Sequence, residues 1–240
     1  MIRRIATVFL PILLTGFVAA KSEIRIGVAA NFHQTLDTLA KKYEATHPDL
    51  DITLVPGSSG KLFAQISHGA AFDAFFSADS ARPERLESEG KSIPNSRFTY
   101  ALGKLTLWQP GSATPDLNKA KTLALANPEL APYGRAALEV LIALDIPDDH
   151  PKRVLGSNVA HAFNFAQSGA ADTAFVAASQ LLQISADPAG YEFVDPSLYS
   201  PIEQQAVAIT DGPEIQGFLA YCKSPQAAKI IVASGYFPHP

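Results

Sequence analysis

The chain has one cysteine, one methionine and one tryptophan in 240 residues. A lone Cys222 cannot form an intramolecular disulfide, so the fold has to be held by packing. Charged residues are only 18% of the total, the formal charge is −4, and nowhere do Lys and Arg cluster. That excludes the basic footprint of a nucleic-acid binder. After residue 20 no stretch approaches eighteen consecutive apolar residues, so no membrane span is expected there. The six histidines, at 33, 47, 68, 150, 161 and 239, show no His-x-x-x-His or His-Glu-x-x-His spacing, and no bound metal cation is expected.

The first twenty residues differ from the rest. Met1-Ile-Arg-Arg4 is a short basic start, Ile5 to Val18 is apolar, and Ala19-Ala20 supplies small residues. That is the layout of a secretory signal peptide, with Val18 and Ala20 at the two positions a signal peptidase reads. The apolar run contains Pro11 and is short for a span. No cysteine lies near residue 20 to carry a lipid, and Ile2 before Arg3-Arg4 is a poor context for twin-arginine export. The expectation is ordinary secretion into a periplasm without an anchor. Without Arg3 and Arg4 the remaining 220 residues carry 17 basic and 23 acidic side chains, a charge of −6. That length fits one large or two small domains, with ample chain for a core.

Periodicity then alternates. Glu23–Ala29 is apolar at Ile24, Ile26 and Val28 and reads as a strand; Phe32, Leu36, Leu39, Ala40 and Tyr43 share one helical face. Strands follow at Asp51–Val55 and Phe72–Ser77, with helices after Gly60 and around Pro83–Ser88. This βαβα rhythm predicts a parallel sheet covered by helices. Beyond Arg97, a long strand is expected over Tyr100–Trp108 and another over Lys121–Ala126. Helices are expected over Tyr133–Leu144 and Val159–Gln167, with strands over Thr173–Ala177 and Gln205–Thr210. Two last helices lie around Pro213–Cys222 and after Ser224-Pro225, where a capping serine precedes a first-turn proline. The predicted architecture is α/β with two lobes of mixed sheets flanked by helices. Residues 21–100 and 206–240 form lobe I, and 101–205 form an inserted lobe II, with a ligand cleft between.

Two junctions share one design. At Ala29-Ala30-Asn31 and at Gly57-Ser58-Ser59-Gly60 a strand runs into a helix start, where unpaired N–H groups and a partial positive charge reside. Both lie at carboxyl ends of neighbouring strands, where open α/β sheets bind ligands. Together they suit an anion held without a countercharge. Each alone reads more readily as an ordinary cap by Asn31, Ser58 or Ser59; it is the two in succession that bring the anion reading level with it. The second lobe repeats the device at Ser157-Asn158-Val159 and at Pro132-Tyr133-Gly134, where the phenol is either a surface aromatic or a further donor.

These residues carry a family resemblance. Ala29-Ala30-Asn31, Gly57-Ser-Ser-Gly60, Gly69-Ala-Ala-Phe-Asp-Ala-Phe-Phe-Ser-Ala-Asp79, Phe98–Trp108, Asn127–Gly134 and Ser224–Ala228 occur in an order that resembles the periplasmic molybdate-binding proteins (ModA) of ABC importers. The resemblance spans essentially the whole chain after residue 20. It implies the type II periplasmic-binding-protein fold, closing over molybdate or tungstate, an inner-membrane ABC permease as partner, a monomer, and no cofactor or catalysis. Carried over by position, the ligand contacts fall on Ala30, Asn31, Ser59, Tyr133 and Val159, with Ser58 beside them. The side chains of Asn31, Ser59 and Tyr133 would donate, as would the backbone N–H groups of Asn31, Ser59, Tyr133 and Val159. Many members place a ligand-binding tyrosine just after the strand matching Thr173–Ala177. Here Ala177 stands in that place, and the tyrosine is in the Pro132-Tyr133-Gly134 turn, as in a subset of the family.

A site made only of donors favours a fully ionised tetrahedral dianion, because a protonated anion needs an acceptor. Molybdate, tungstate and sulfate satisfy that rule, so a sulfate or other small-anion receptor of the same fold is the alternative. Asp79 reads as a cap or hinge residue, since a carboxylate on the anion is costly. Gly57-Ser-Ser-Gly60 lacks the second glycine of a nucleophile elbow, position 61 being Lys61. A hydrolase using Ser59 with His33 or His161 has no local signature. Asp148-Asp149-His150-Pro151 reads as a solvated loop between helices, Cys222 as a buried thiol, and Trp108 as packing.

Overall fold

The structure, a computed structural model, describes residues 21–112 and 114–237. The expected signal peptide at 1–20 and the sixth histidine, His239, lie outside the described residues. In chain order the elements are β1 (Ser22–Ala29), α1 (His33–Glu44), β2 (Leu50–Gly57), α2 (Ser59–Ser67), β3 (Ala74–Ser77), α3 (Ala81–Ser88) and β4 (Phe98–Gly103). Then come β5 (Leu105–Trp108), β6 (Thr122–Ala126), α4 (Pro132–Ala143), β7 (Lys152–Gly156), α5 (Val159–Gln167), β8 (Thr173–Ala177), α6 (Ala178–Gln183) and β9 (Tyr191–Phe193). The chain closes with β10 (Ile202–Ala208), α7 (Pro213–Cys222) and α8 (Pro225–Ala233).

Two five-stranded mixed sheets result, ordered β2-β1-β3-β10-β4 and β7-β6-β8-β5-β9. In the first, β1 runs parallel to β2 and β3, while β10 returns antiparallel between β3 and β4. In the second, β6 is parallel to β7 and β8, and β5 is antiparallel to β8 and β9. The α/β expectation therefore holds, with helices on both sheets. The core of the first sheet joins Ile24, Ile26 and Val28 of β1 to Leu36 and Leu39 of α1 and Phe218 of α7. Phe32 is fully buried there, its ring 4.3 Å from Tyr100 and 5.4 Å from Tyr236. Trp108 packs in the second lobe, stacked 4.8 Å from Phe163 of α5. Cys222 is buried beside Ile215, Phe218 and Leu219, as its helical spacing predicts.

The departures have local causes. The single strand expected over 100–108 is two strands broken at Lys104, because β4 bonds to β10 while β5 bonds to β8 and β9. Alternation continues through that change of partner, so side-chain pattern is blind to it. The chain passes between sheets here and again before β10; positions 100 and 206 fall inside β4 and β10. β10 begins at Ile202 rather than Gln205, since Gln204 and Gln205 interrupt the apolar pattern although both are buried. β7, half exposed at the sheet edge, and the short α6 and β9 gave no periodic signal. The Asp148–Pro151 loop joins a helix to β7 rather than to another helix, and Asp148 pairs with Arg153 at 2.8 Å.

Candidate functional site

Parallel pairing brings the two first-lobe junctions together. Ala29 at the end of β1 lies in register with Gly57 at the end of β2, and the Ala30 N–H donates to the Gly57 carbonyl at 2.9 Å. The second sheet does the same: Ala126 of β6 is in register with Gly156 of β7. The turns that follow lead into α4 and α5. Four chain segments that end in helix starts thus face one another across a small cavity of about 10 Å³. All six residues nominated from sequence, Ala30, Asn31, Ser58, Ser59, Tyr133 and Val159, line it, and none of its lining residues carries a charge.

Hydrogen-bond accounting shows what these starts leave free. At α2 the Ser58 Oγ accepts from the Lys61 N–H at 3.3 Å, and the Gly60 N–H goes to the Leu130 carbonyl at 2.9 Å. At α5 the Asn158 Oδ1 accepts from the His161 N–H at 3.0 Å. At α4 the Gly134 and Arg135 N–H groups go to the Ala131 carbonyl. Among the described residues the N–H groups of Asn31, Ser59, Tyr133 and Val159 have no protein acceptor. They are the orphan donors of helix starts, at the positive ends of the helix dipoles. The Ser59 Oγ accepts from the Ala78 N–H at 2.9 Å, leaving its own proton to donate. Among the described residues the Ser59 hydroxyl is bonded to no histidine or carboxylate side chain.

Asn31 departs from the cap reading. The residue before α1 is Phe32, and no side chain caps that helix. The Asn31 amide instead turns inward, donating to Gln204 Oε1 at 2.8 Å and to the Tyr236 hydroxyl at 3.2 Å. Both of its N–H bonds are thereby engaged, and the main-chain N–H is what Asn31 offers the cavity. The reason is tertiary: β10 runs back through the sheet and sets a buried glutamine beside it. The Tyr100 hydroxyl lies 3.1 Å from that same Gln204 oxygen but has a shorter acceptor in the Ser77 carbonyl at 2.9 Å, and Gln204 donates Nε2 to the Tyr133 oxygen at 3.4 Å. Sequence reasoning passed over Gln204, Tyr100, Ser179 and Tyr236. The one available signal was the polar Gln204-Gln205 pair inside an otherwise apolar strand. Ala177, where many relatives of this pattern have tyrosine, does not line the cavity.

Burial holds the Tyr133 and Tyr100 phenols well above the ordinary range, and pushes Tyr236 up to about 12. All three are therefore neutral donors at physiological pH. The cavity is positive only through dipoles. Asp79 is kept away from it: it accepts from Ser77 Oγ at 2.9 Å and pairs with Arg82. The two lobes touch across the cleft. Arg82 Nη2 reaches the Glu129 carbonyl at 3.3 Å, Gly60 reaches Leu130, and Ser179 Oγ reaches the Asn31 carbonyl at 3.2 Å. Among the described residues there is no cluster of His, Cys, Asp and Glu able to hold a metal ion, and no helix is long and apolar enough to cross a membrane.

The family described as "Bacterial extracellular solute-binding protein" matches residues 24–237. The chain is 39% identical over 235 residues to the molybdate-binding protein ModA of Azotobacter vinelandii, covering 93% of each chain. It is 38% identical over 228 residues to its namesake in Rhodobacter capsulatus, covering 91% of this chain and 89% of that one. The solved Azotobacter vinelandii periplasmic molybdate-binding protein superposes with a TM-score of 0.82 at 36% identity, over 90% of this chain and all of the other.

Proposed function

The chain belongs to the bacterial extracellular solute-binding proteins, in the molybdate-binding ModA group, and from that premise we propose that it captures molybdate for an ABC importer. The observation that carries the reading is the cavity between the lobes, lined without any charged residue and faced by four unengaged main-chain N–H groups. A tetrahedral dianion placed there accepts from every side and needs to bring no proton. Its desolvation is offset by charge-assisted hydrogen bonds, each worth about 1.5–3 kcal/mol. Ser59 Oγ and the Tyr133 phenol add side-chain donors, and Ala30, Ser58 and Val159 shape the wall.

Binding proceeds by closure. In the open form the first-lobe turns hold the anion, and the second-lobe starts at Tyr133 and Val159 complete its shell. The closed form is the species handed to an inner-membrane permease. Tungstate, of the same charge and shape, is accepted by the same donors. The protein works as a periplasmic monomer delivered by its N-terminal segment, without catalysis, cofactor or nucleic acid. Titration calorimetry of dialysed protein with molybdate, tungstate, sulfate and phosphate tests this. One-to-one binding of the first two, with sulfate and phosphate silent, is expected. Equal binding of sulfate moves the assignment to sulfur uptake, and no heat from any of the four overturns the reading.

A further inference from the structure

The buried network behind the cavity contains an ordered chain of hydrogen bonds whose directions are not interchangeable. It starts at Tyr236, beyond α8. That phenol has one proton, and its shortest acceptor is the Asn31 carbonyl at 2.8 Å. Its oxygen is then left to accept, and the Asn31 Nδ2 donates to it at 3.2 Å. This fixes which end of the Asn31 amide faces inward, so its second N–H goes to Gln204 at 2.8 Å and must meet an oxygen there. With Gln204 Oε1 so placed, Nε2 is turned to Tyr133 at 3.4 Å. Nε2 can only donate, so the Tyr133 oxygen accepts and its proton is directed elsewhere. Room for the phenol beside Gln204 comes from Gly103, where a Cβ would lie 2.5 Å from the Tyr133 oxygen.

We propose that Gln204 is a positioning residue that polarises Tyr133, forcing the phenol to donate into the cavity rather than backward into the protein. The inference rests on the anion-binding reading above. It explains why a fully buried amide stands on the strand that leads back from the second lobe, out of contact with the cavity. A carboxylate at the same place would keep the acceptor contact to Asn31, but would offer Tyr133 an acceptor in place of a donor. The phenol would then turn its proton away from the anion. Protonating that carboxyl would restore the donor.

The test is Gln204→Glu, with molybdate affinity measured from about pH 6 to about pH 9. The titratable groups facing position 204 are the phenols of Tyr100 on β4 and Tyr133 on α4; Tyr236 after α8 is linked to it through Asn31, and the Asp79 carboxylate, paired with Arg82, lies near Tyr100. The three phenols, all held above their ordinary range, stay protonated over this range, and a flat wild-type profile is the expected result. The variant is expected to bind about tenfold or more weakly at the alkaline end than at the acid end. Placing Tyr133→Phe in the same chain should abolish the part of the loss that passes through the phenol. A flat profile in the folded Gln204→Glu protein overturns the inference. If that variant does not fold, Gln204→Met replaces it: a larger loss in the Tyr133 background than in the Tyr133→Phe background supports the inference, and equal losses overturn it. Absence of molybdate binding by the wild type is the separate failure of the functional reading itself.

Discussion

Replacing Gly60 with alanine separates closure of the cleft from the donors that line it. Gly60 is the second residue of α2, and its N–H bonds across the cleft to the Leu130 carbonyl at 2.9 Å. A Cβ there would stand 2.9 Å from that same oxygen and 3.2 Å from both the Leu130 Cα and Arg82 Nη2. Ordinary contact begins near 3.4 Å, so the second lobe has to retreat by roughly half an ångström. That stretches the cross-cleft hydrogen bond to its limit and costs about 1 kcal/mol. It also lengthens whatever bonds the Tyr133 N–H, three residues further on, makes to the anion. Together the loss is about 1–3 kcal/mol, or roughly 5- to 150-fold in Kd. The effect on folding has the opposite sign. Alanine in place of a helical glycine favours the fold by up to about 1 kcal/mol, so Tm should hold or rise. Calorimetric titration with molybdate, a thermal melt and small-angle scattering with and without ligand give the three readouts. Unchanged affinity together with an unchanged ligand-dependent compaction would refute the closure argument. A fall in Tm would show that the contact had been misassigned.

Other predictions address the site and its support. Ser59→Ala removes a hydroxyl donor and should weaken molybdate binding by about 1–3 kcal/mol; it also strips the acceptor from the buried Ala78 N–H, so stability in the melt should fall by about 1–3 kcal/mol as well, and equal affinity would remove Ser59 from the site. Gly103→Ala drives a methyl into the Tyr133 oxygen and should weaken binding at least as much as Tyr133→Phe, although position 103 lies outside the cavity lining. The buried Tyr236, pushed up to about 12 from 10.0, resists ionisation that the unfolded chain accepts. Stability is therefore intact below about pH 10 and falls as pH rises toward about 12, by about 3 kcal/mol from this group alone; denaturant melts that shift equally in Tyr236→Phe would deny it that role. Burial also pushes the Cys222 thiol up. Thiol reagents should leave the native protein unmodified and react once it is unfolded; rapid native labelling would place Cys222 at the surface.

The strand–helix junctions were legible because the rules behind them are local. Alternation at Ile24, Ile26 and Val28, the caps at Ser58, Asn158 and Ser224, and the first-turn prolines at 132, 213 and 225 each announce themselves within a few residues. The same locality marks the starts at Asn31, Ser58-Ser59, Tyr133 and Val159 as donor clusters, whereas their grouping with Ala30 as one ligand set came from the family resemblance. Local reading failed where a residue's partner is distant. The single strand drawn through Lys104 changes sheets there, and Asn31, with the composition of a cap, spends its amide 173 residues away on Gln204.

The sequence by itself therefore determined which segments would expose unpaired N–H groups, how apolar the sheets are, and that the chain offers a donor-only chemistry to an anion. Only the tertiary structure decided that four such segments meet in one uncharged cavity, and that Gln204, Tyr100 and Tyr236 stand behind it. The physical reason is one of range. Propensity, capping and alternation act over about one helical turn, whereas the direction of a buried hydrogen bond is set by whichever strand the topology brings alongside. Here that strand is β10, inserted antiparallel between β3 and β4.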